Sequence, residues 1–135
     1  MNQDSPSFGL VTQWLAVFFA GGLGASLRVL LSGRLEQALA ERLPFAGVLS
    51  VNLIGCFLIG FASVAIAAPQ WRSVILGGLL GGFTTYSAFA LFSVELMQQQ
   101  RVGVLAAQLG AHLVGGVVCV AAGMWLAQVL GLAKT

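Results

Sequence analysis

Hydroxyl and aromatic side chains are concentrated in one stretch of this sequence, residues 77–89, which lies within a long apolar run. It reads GGLLGGFTTYSAF, with two glycine pairs, four hydroxyl-bearing residues in four positions, and the aromatic residues Tyr86 and Phe89 three positions apart. Hydroxyl groups, backbone carbonyls and the electropositive edges of aromatic rings can all bind ions. The sequence contains no nucleophile–base pair, metal-ligand cluster or nucleotide-binding loop, so we predict ion binding and no enzyme activity.

The same stretch is predicted to interrupt a helix. Glycine costs about 1 kcal/mol relative to alanine in a helix interior, and hydroxyl side chains offer the backbone rival hydrogen bonds. A break over residues 81–85 would expose carbonyl oxygens that can coordinate a cation, followed by N–H groups that favour an anion. Such backbone is tolerated at membrane depth only where it is buried in protein or lines an aqueous cavity. We therefore predict a binding site here.

The rest of the composition indicates a membrane protein. Apolar residues make up 59% of the 135-residue chain and charged residues 7%, with a mean hydropathy of +0.97. A net charge of +2 without a basic run argues against nucleic acid as a partner. The acidic N-terminus is not typical of a secretory signal. Uncharged runs long enough to cross a bilayer, which takes roughly 20 residues, cover 8–27, 44–71, 73–94 and 102–133.

We therefore predict an all-α membrane protein made of a single integral membrane domain, residues 1–135. The connector over residues 33–43 has apolar residues at helical spacing with charges between them, which predicts a short amphipathic helix on the membrane surface, ended by Pro44. The four transmembrane helices, of which the third is broken, are expected at about residues 10–31, 45–68, 73–98 and 102–130.

Two polar side chains within these helices each allow two interpretations. Arg28, near the end of the first helix, is either an interfacial arginine that extends to the membrane surface or a vestibule charge that attracts anions. Asn52, in the first half of the second helix, either holds helices together or points an NH₂ donor at a passing anion.

The fourth helix carries a face of small and polar residues. His112 on this face is either a hydrogen-bonded packing residue or a proton shuttle. The two cysteines, one here and Cys56 in the second helix, are expected to pack within apolar segments rather than to form a disulfide or a metal site. The face comprises Gln108, His112, Gly115, Gly116, Cys119 and Gly123.

A chain with four helices is too small to enclose a pore readily, so an oligomer is predicted, most simply a two-fold dimer. Arg72 and Lys134 lie at one side of the predicted membrane, against Arg34, Arg42 and Arg101 at the other. Because positive charge in short loops fixes orientation, this near balance predicts insertion both ways round. An antiparallel dimer would then reproduce the inverted repeats of larger transporters.

Three motifs together resemble the Fluc/CrcB fluoride-channel family, and their order and spacing extend the match over nearly the whole chain. They are GGLGASLR at 21–28, GVLSVNLIG at 47–55 and GGFTTYSAF at 81–89. The resemblance implies a channel in the bacterial inner membrane that exports fluoride from the cytoplasm and so reduces its toxicity. It also implies an antiparallel dual-topology dimer of this chain with itself or with a paralogue, and a structural sodium ion at the dimer centre.

The resemblance also implies roles for particular residues. Backbone carbonyls of Gly81 and Thr84 would hold the sodium ion. The first aromatic residue of the family's motif is usually Phe, so the hydroxyl of Tyr86 is a departure, and the family's hydroxyl track on the fourth helix is not evident. The fluoride path would be lined by Asn52, Tyr86, Phe89, Thr85, Ser87 and Arg28.

Two other functions would suit a small four-helix chain. A proton-coupled exporter of the small multidrug-resistance kind needs a membrane-embedded carboxylate, ordinarily in the first helix, and the predicted first helix has no acid. A scaffold subunit of a larger membrane complex would explain the faces of small residues. It would not explain a helix interrupted by hydroxyls beside aromatic residues at mid-membrane.

Overall fold

A computed structural model of the chain describes residues 9–39, 43 and 45–132. Within these ranges every regular element is helical. Four stretches are long and apolar enough to cross a membrane, namely Leu10–Leu39, Ala46–Ala65, Pro69–Gln98 and Val102–Val129. The elements are α1 (Leu10–Leu39), α2 (Ala46–Ala65), α3 (Pro69–Arg72), a π-helix (Ser73–Leu80), α4 (Gly81–Phe83), α5 (Tyr86–Gln98) and α6 (Val102–Val129). The predicted all-α architecture with a broken third span is confirmed.

The first helix is longer than predicted. At 30 residues, α1 extends about 45 Å, against a hydrocarbon layer of about 30 Å. The predicted separate surface helix over 33–43 is corrected accordingly: residues 33–39 are the last turns of α1, while residues 40–42 and 44 lie outside the described ranges. Leu, Glu, Gln and Ala are good helix formers, so the charges at this end do not stop the helix.

The second helix ends earlier and the third span begins earlier than predicted. α2 ends at Ala65, and the next backbone, at Ile66, is extended. Pro69 begins α3, a position where its missing N–H has no helical partner to lose. Arg72 joins the two elements, because its Nη1 donates to the carbonyls of Ser63, at 2.7 Å, and Ile66, at 2.9 Å.

Glycine allows the spans to pack with their backbones in contact. A Cβ atom at Gly123 of α6 would overlap the Phe57 carbonyl of α2, and one at Gly60 of α2 would overlap the Val120 carbonyl of α6. α1 meets the third span in the same way, at Gly24 and Gly82. This agrees with the expectation that small residues mediate helix association here. The outer side of α1 is apolar and exposed in the single chain.

Candidate functional site

The interruption of the third span is confined to two residues. Thr84 has φ −88° and ψ 158°, and Thr85 has φ −147° and ψ 110°, so both are extended. The predicted break over residues 81–85 was too wide, because Gly81 and Gly82 remain helical in α4. Instead, the glycine pair at 77 and 78 falls in the π-helix. π-helical turns are rare and are often found at functional sites.

Asn52 replaces the helical hydrogen bonds that the break removes. Its Oδ1 accepts a hydrogen bond from the Thr85 backbone N–H at 2.8 Å, and its Nδ2 donates to the Thr85 carbonyl at 3.1 Å. Gly55, one turn further along α2, makes this approach possible, since a Cβ there would overlap the Thr84 side chain. The pairing uses one of the two amide hydrogens of Asn52 and leaves the second available.

The same arrangement releases two carbonyl groups on the N-terminal side of the break. In a continuous α-helix the Thr85 N–H would donate to the Gly81 carbonyl, and the Ala88 N–H to the Thr84 carbonyl. Here the Thr85 N–H donates to Asn52, and the Ala88 N–H donates to the Thr85 hydroxyl at 3.2 Å. The carbonyl oxygens of Gly81 and Thr84 thereby lose their helical donors.

A cavity of about 390 Å³ lies beside the break. None of the residues that line it is an Asp, Glu, Lys or Arg. Tyr86 is 79% exposed in the single chain, so this part of the cavity is not enclosed by one copy. The lining residues are Asn52, Gly55, Cys56, Ile59, Thr84, Thr85, Tyr86, Phe89, His112 and Leu113.

The first turn of α5 gives this cavity an electropositive element. The Thr85 hydroxyl caps the helix by accepting the Ala88 N–H, while the preceding N–H groups, of Tyr86 and Ser87, have no helical acceptor in front of them. The N-terminus of a helix carries a partial positive charge of roughly half a unit. The rings of Tyr86 and Phe89 lie on the same face, with centroids 5.6 Å apart and an interplanar angle of 48°.

α6 closes the cavity on the far side of Phe89. The His112 ring packs on the Phe89 ring with centroids 4.5 Å apart. Gln108, one turn earlier, is fully buried, and its Nε2 donates to the Phe89 carbonyl at 3.1 Å and to the Ser93 hydroxyl at 3.2 Å. Sequence reasoning identified the polar face that holds both residues but could not assign them to this site.

Four of the six residues predicted for the fluoride path meet at this cavity: Asn52, Thr85, Tyr86 and Phe89. Ser87 and Arg28 do not line it. The Ser87 hydroxyl lies 3.2 Å from that of Thr85. Arg28 is half-buried on α1, and its Nε donates to the Gly82 carbonyl at 3.2 Å. Of the two residues predicted to hold sodium, Thr84 lines the cavity and Gly81 is exposed in the single chain.

Comparison with known proteins places this chain in a family. The model of the family described as "CrcB-like protein, Camphor Resistance (CrcB)" matches residues 15–124. The chain belongs to the CrcB family. The matched range includes every residue of the site, from Arg28 to His112, so the resemblance inferred from the three motifs is confirmed. With its four membrane-spanning helices, this CrcB chain is a multi-pass membrane protein.

Its relatives carry a functional name. A protein of Dichelobacter nodosus named "Fluoride-specific ion channel FluC" is 40% identical over 119 residues, which cover 85% of this CrcB chain and 96% of the relative. Proteins of the same name from Burkholderia pseudomallei and Burkholderia thailandensis are each 39% identical over 119 residues, covering 84% of this chain and 91% of the relative. The CrcB chain thus aligns with nearly the full length of these proteins.

Proposed function

We propose that this CrcB-family chain is a fluoride-selective ion channel that exports fluoride from the cytoplasm. The proposal is supported by the name of its relatives and carried by one structural observation. Asn52 pairs with the backbone of Thr85, where the third span is interrupted. The N-terminus of α5 and two aromatic rings therefore face a cavity that has no charged side chains. An ion channel requires no covalent chemistry from these residues.

The polar groups of the cavity suit a small anion. Fluoride holds its water tightly, so a selective path must replace that water with hydrogen-bond donors. The second amide hydrogen of Asn52, the N–H groups at the start of α5 and the hydroxyl of Thr85 can supply them. The ring edges of Tyr86 and Phe89 are electropositive and add to this attraction.

The active form we propose is an antiparallel dimer of this chain with itself or with a paralogue. The exposure of Tyr86 and Gly81 in the single chain supports a partner at this face. A reporter fused after Thr135 is expected on both sides of the membrane in comparable amounts. A strongly one-sided population would exclude a dual-topology homodimer. Two or three lysines added to the connection between α2 and α3 should shift the population to one orientation.

We further propose a structural sodium ion at the dimer centre. The site residues fit such an ion, because the carbonyls of Gly81 and Thr84 have lost their helical donors to Asn52 and Thr85. Oxygen ligands suit hard cations. When bound, the ion would supply positive charge that offsets these carbonyl dipoles. The chain's own contribution is the pair of extended threonines, which leaves these two carbonyls without helical donors.

Removal of sodium tests this part of the proposal. Purified protein exchanged into choline buffer should lose dimer, measured by size-exclusion chromatography with light scattering, and regain it with sodium. Because the proposed ligands are backbone carbonyls, Thr84→Ser should behave as wild type. A dimer equally stable in choline and in sodium would contradict the sodium site while leaving the channel proposal intact.

Flux from liposomes tests the channel itself. Vesicles that contain only the purified protein should release fluoride, measured with an ion-selective electrode, and retain chloride under the same gradient. Protein-free vesicles are the control. Equal release of both anions would contradict selectivity, and no release of either would favour a scaffold subunit.

A proton-coupled exporter remains the alternative to test directly. α1 does contain a carboxylate, Glu36, but at its C-terminal end, close to Gly47 at the start of α2, and not at the cavity. Fluoride release down its own gradient that leaves the pH inside the vesicles unchanged, with the membrane potential clamped, would exclude a proton-coupled mechanism.

A further inference from the structure

Two hydrogen-bond acceptors are buried on α6 next to the cavity without a donor from the described part of the chain. They are Oε1 of Gln108 and Nε2 of His112. Buried polar atoms are normally paired, so each such atom calls for an explanation. His112 lines the cavity and packs on Phe89, whereas Gln108 lies behind it.

The proton on the His112 ring is placed by its hydrogen bond. Nδ1 lies 3.0 Å from the backbone carbonyl of Gln108, which can only accept. Nδ1 must therefore carry the hydrogen, and in the neutral imidazole Nε2 then holds a lone pair. This lone pair is buried, on a ring that lines the cavity, and the neutral ring gives the lining no positive charge. The same nitrogen becomes a donor once the ring takes up a second proton.

Gln108 fixes this arrangement from behind. Its Nε2 donates to the Phe89 carbonyl and to the Ser93 hydroxyl, and that hydroxyl in turn donates to the Phe89 carbonyl at 2.8 Å. Turning the amide round would put an oxygen against a carbonyl oxygen. The amide orientation is therefore determined, and the turn of α6 that carries His112 is anchored to α5.

The charges around the cavity make protonation matter. The lining has no formal charge, so one proton on the wall adds to the attraction that its donors provide, and the added attraction is largest where water is scarce. Cys56 of α2 and Tyr86 of α5 are the other titratable groups lining the cavity in the described structure. Glu95 lies further along α5, and Arg28 is bound to Gly82.

We propose that His112 makes fluoride passage through this chain dependent on pH: a proton taken up on Nε2 gives the ring, and so the cavity wall, a positive charge that attracts the anion. The proposal rests on the proposed fluoride path. Proton and fluoride then favour each other's binding, because such coupling is reciprocal. The dependence should fall within about pH 8 to pH 5, the range in which histidine changes charge.

Two variants of His112 distinguish the roles of its two ring nitrogens. His112→Asn keeps a donor near the position of Nδ1 and removes Nε2. His112→Gln places an NH₂ donor near the position of Nε2 that does not titrate. Cys56→Ser and Tyr86→Phe control for the other titratable groups of the cavity.

Fluoride efflux should be measured from liposomes with equal pH inside and outside, at steps from about pH 8 to pH 5. The rate from protein-free vesicles at each pH is subtracted, because hydrogen fluoride crosses lipid. Each variant must first be shown to elute from a size-exclusion column at the same volume as the wild-type protein. Wild-type flux should rise severalfold as pH falls, and by no more than about tenfold per pH unit, the limit for one proton.

The pH dependence should disappear in both His112 variants, since neither side chain titrates, and persist in the two controls. A second readout is proton uptake from weakly buffered detergent solution when fluoride is added, expected for wild type and absent from both His112 variants. Robust wild-type flux that does not change with pH would overturn this inference and leave the proposed function intact. A pH profile retained in His112→Asn would do the same. Absence of flux at every pH would instead contradict the proposed function.

Discussion

The two contacts of α2, one with α6 and one with the break in the third span, differ in physical kind. Against α6, Gly60 and Gly123 bring carbonyls of one helix onto the backbone of the other, and both helices remain continuous. Against the break, Gly55 provides the same closeness, but Asn52 takes over the hydrogen bonds of Thr85. Close backbone packing alone gives cohesion between helices. An amide side chain at such a contact can also take over backbone hydrogen bonds of the neighbouring helix and so stabilise an interruption in it.

The largest effect is expected where a charge replaces that amide. In Asn52→Asp the carboxylate can still accept the Thr85 N–H, but it donates nothing and repels anions. At about 4 Å and an effective dielectric constant of about 20, the repulsion is about 4 kcal/mol, or nearly 1000-fold in rate. Fluoride efflux from liposomes measures this. Gln128→Glu, the same change at an exposed position on α6, should retain flux, and unchanged flux in Asn52→Asp would exclude Asn52 from the path.

The α6 contact should respond in stability and not in selectivity. In Gly123→Ala the added methyl overlaps the Phe57 carbonyl, and forcing extra bulk into a packed contact costs about 1–3 kcal/mol. Thermal unfolding in detergent should show a lower midpoint. Gly110→Ala on the same helix is the control, because a Cβ there meets nothing within 4 Å. Equal midpoints would mean that the backbones of α2 and α6 are not in close contact.

Phe89 connects the break to α6 through its packing on His112. A substitution at Phe89 tests whether its ring edge contacts the ion. Phe89→Ile keeps much of the bulk and removes the electropositive ring edge. Aromatic geometry is worth about 0.5–1.5 kcal/mol beyond burial, so flux should fall by between about twofold and about tenfold. Phe92→Ile, on the same helix but away from the cavity lining, should stay near wild type. Similar rates in the two variants would argue against ring-edge contact.

The smallest effect is expected for Tyr86→Phe. The Tyr86 hydroxyl makes no hydrogen bond to any residue that the structure describes, while its ring faces the cavity. If the ring edge is what contacts fluoride, efflux and selectivity over chloride should both be retained. A large loss of either would show that this hydroxyl binds the ion, and would assign a function to the departure from Phe at this position.

Sequence alone was sufficient for the four spans and for the existence of the break, because hydropathy and the cluster of glycine and hydroxyl residues act locally. The sequence did not show which residues of the stretch form the break. Gly81 stays helical because the two threonines, held by Asn52, carry the interruption. That pairing joins residues 33 positions apart, and local patterns do not reveal such partners.

Other features depended on tertiary contacts in the same way. Glycine at 77 and 78 predicts a weak helix but not that it rewinds as a π-helix. The charged residues near the end of α1 predict a separate surface helix, whereas the structure continues α1 through them to Leu39. For Asn52 the sequence left two roles open, holding helices together or binding an anion. The geometry allows both, since one amide hydrogen bonds the Thr85 carbonyl and the other is available.

The π-helix has a consequence for how the chain tolerates changes in length. A helix wound with i→i+5 bonds holds an extra residue per turn compared with one wound i→i+4. Deletion of a single residue within Ser73–Leu80 would let the segment tighten to α-helix, so that the flanking α3 and α4 could keep their contacts. The same deletion in α2 would rotate everything beyond it by about 100° and turn one of its two contacts away from its partner. We therefore expect natural length variation in this span to accumulate in the π-helix.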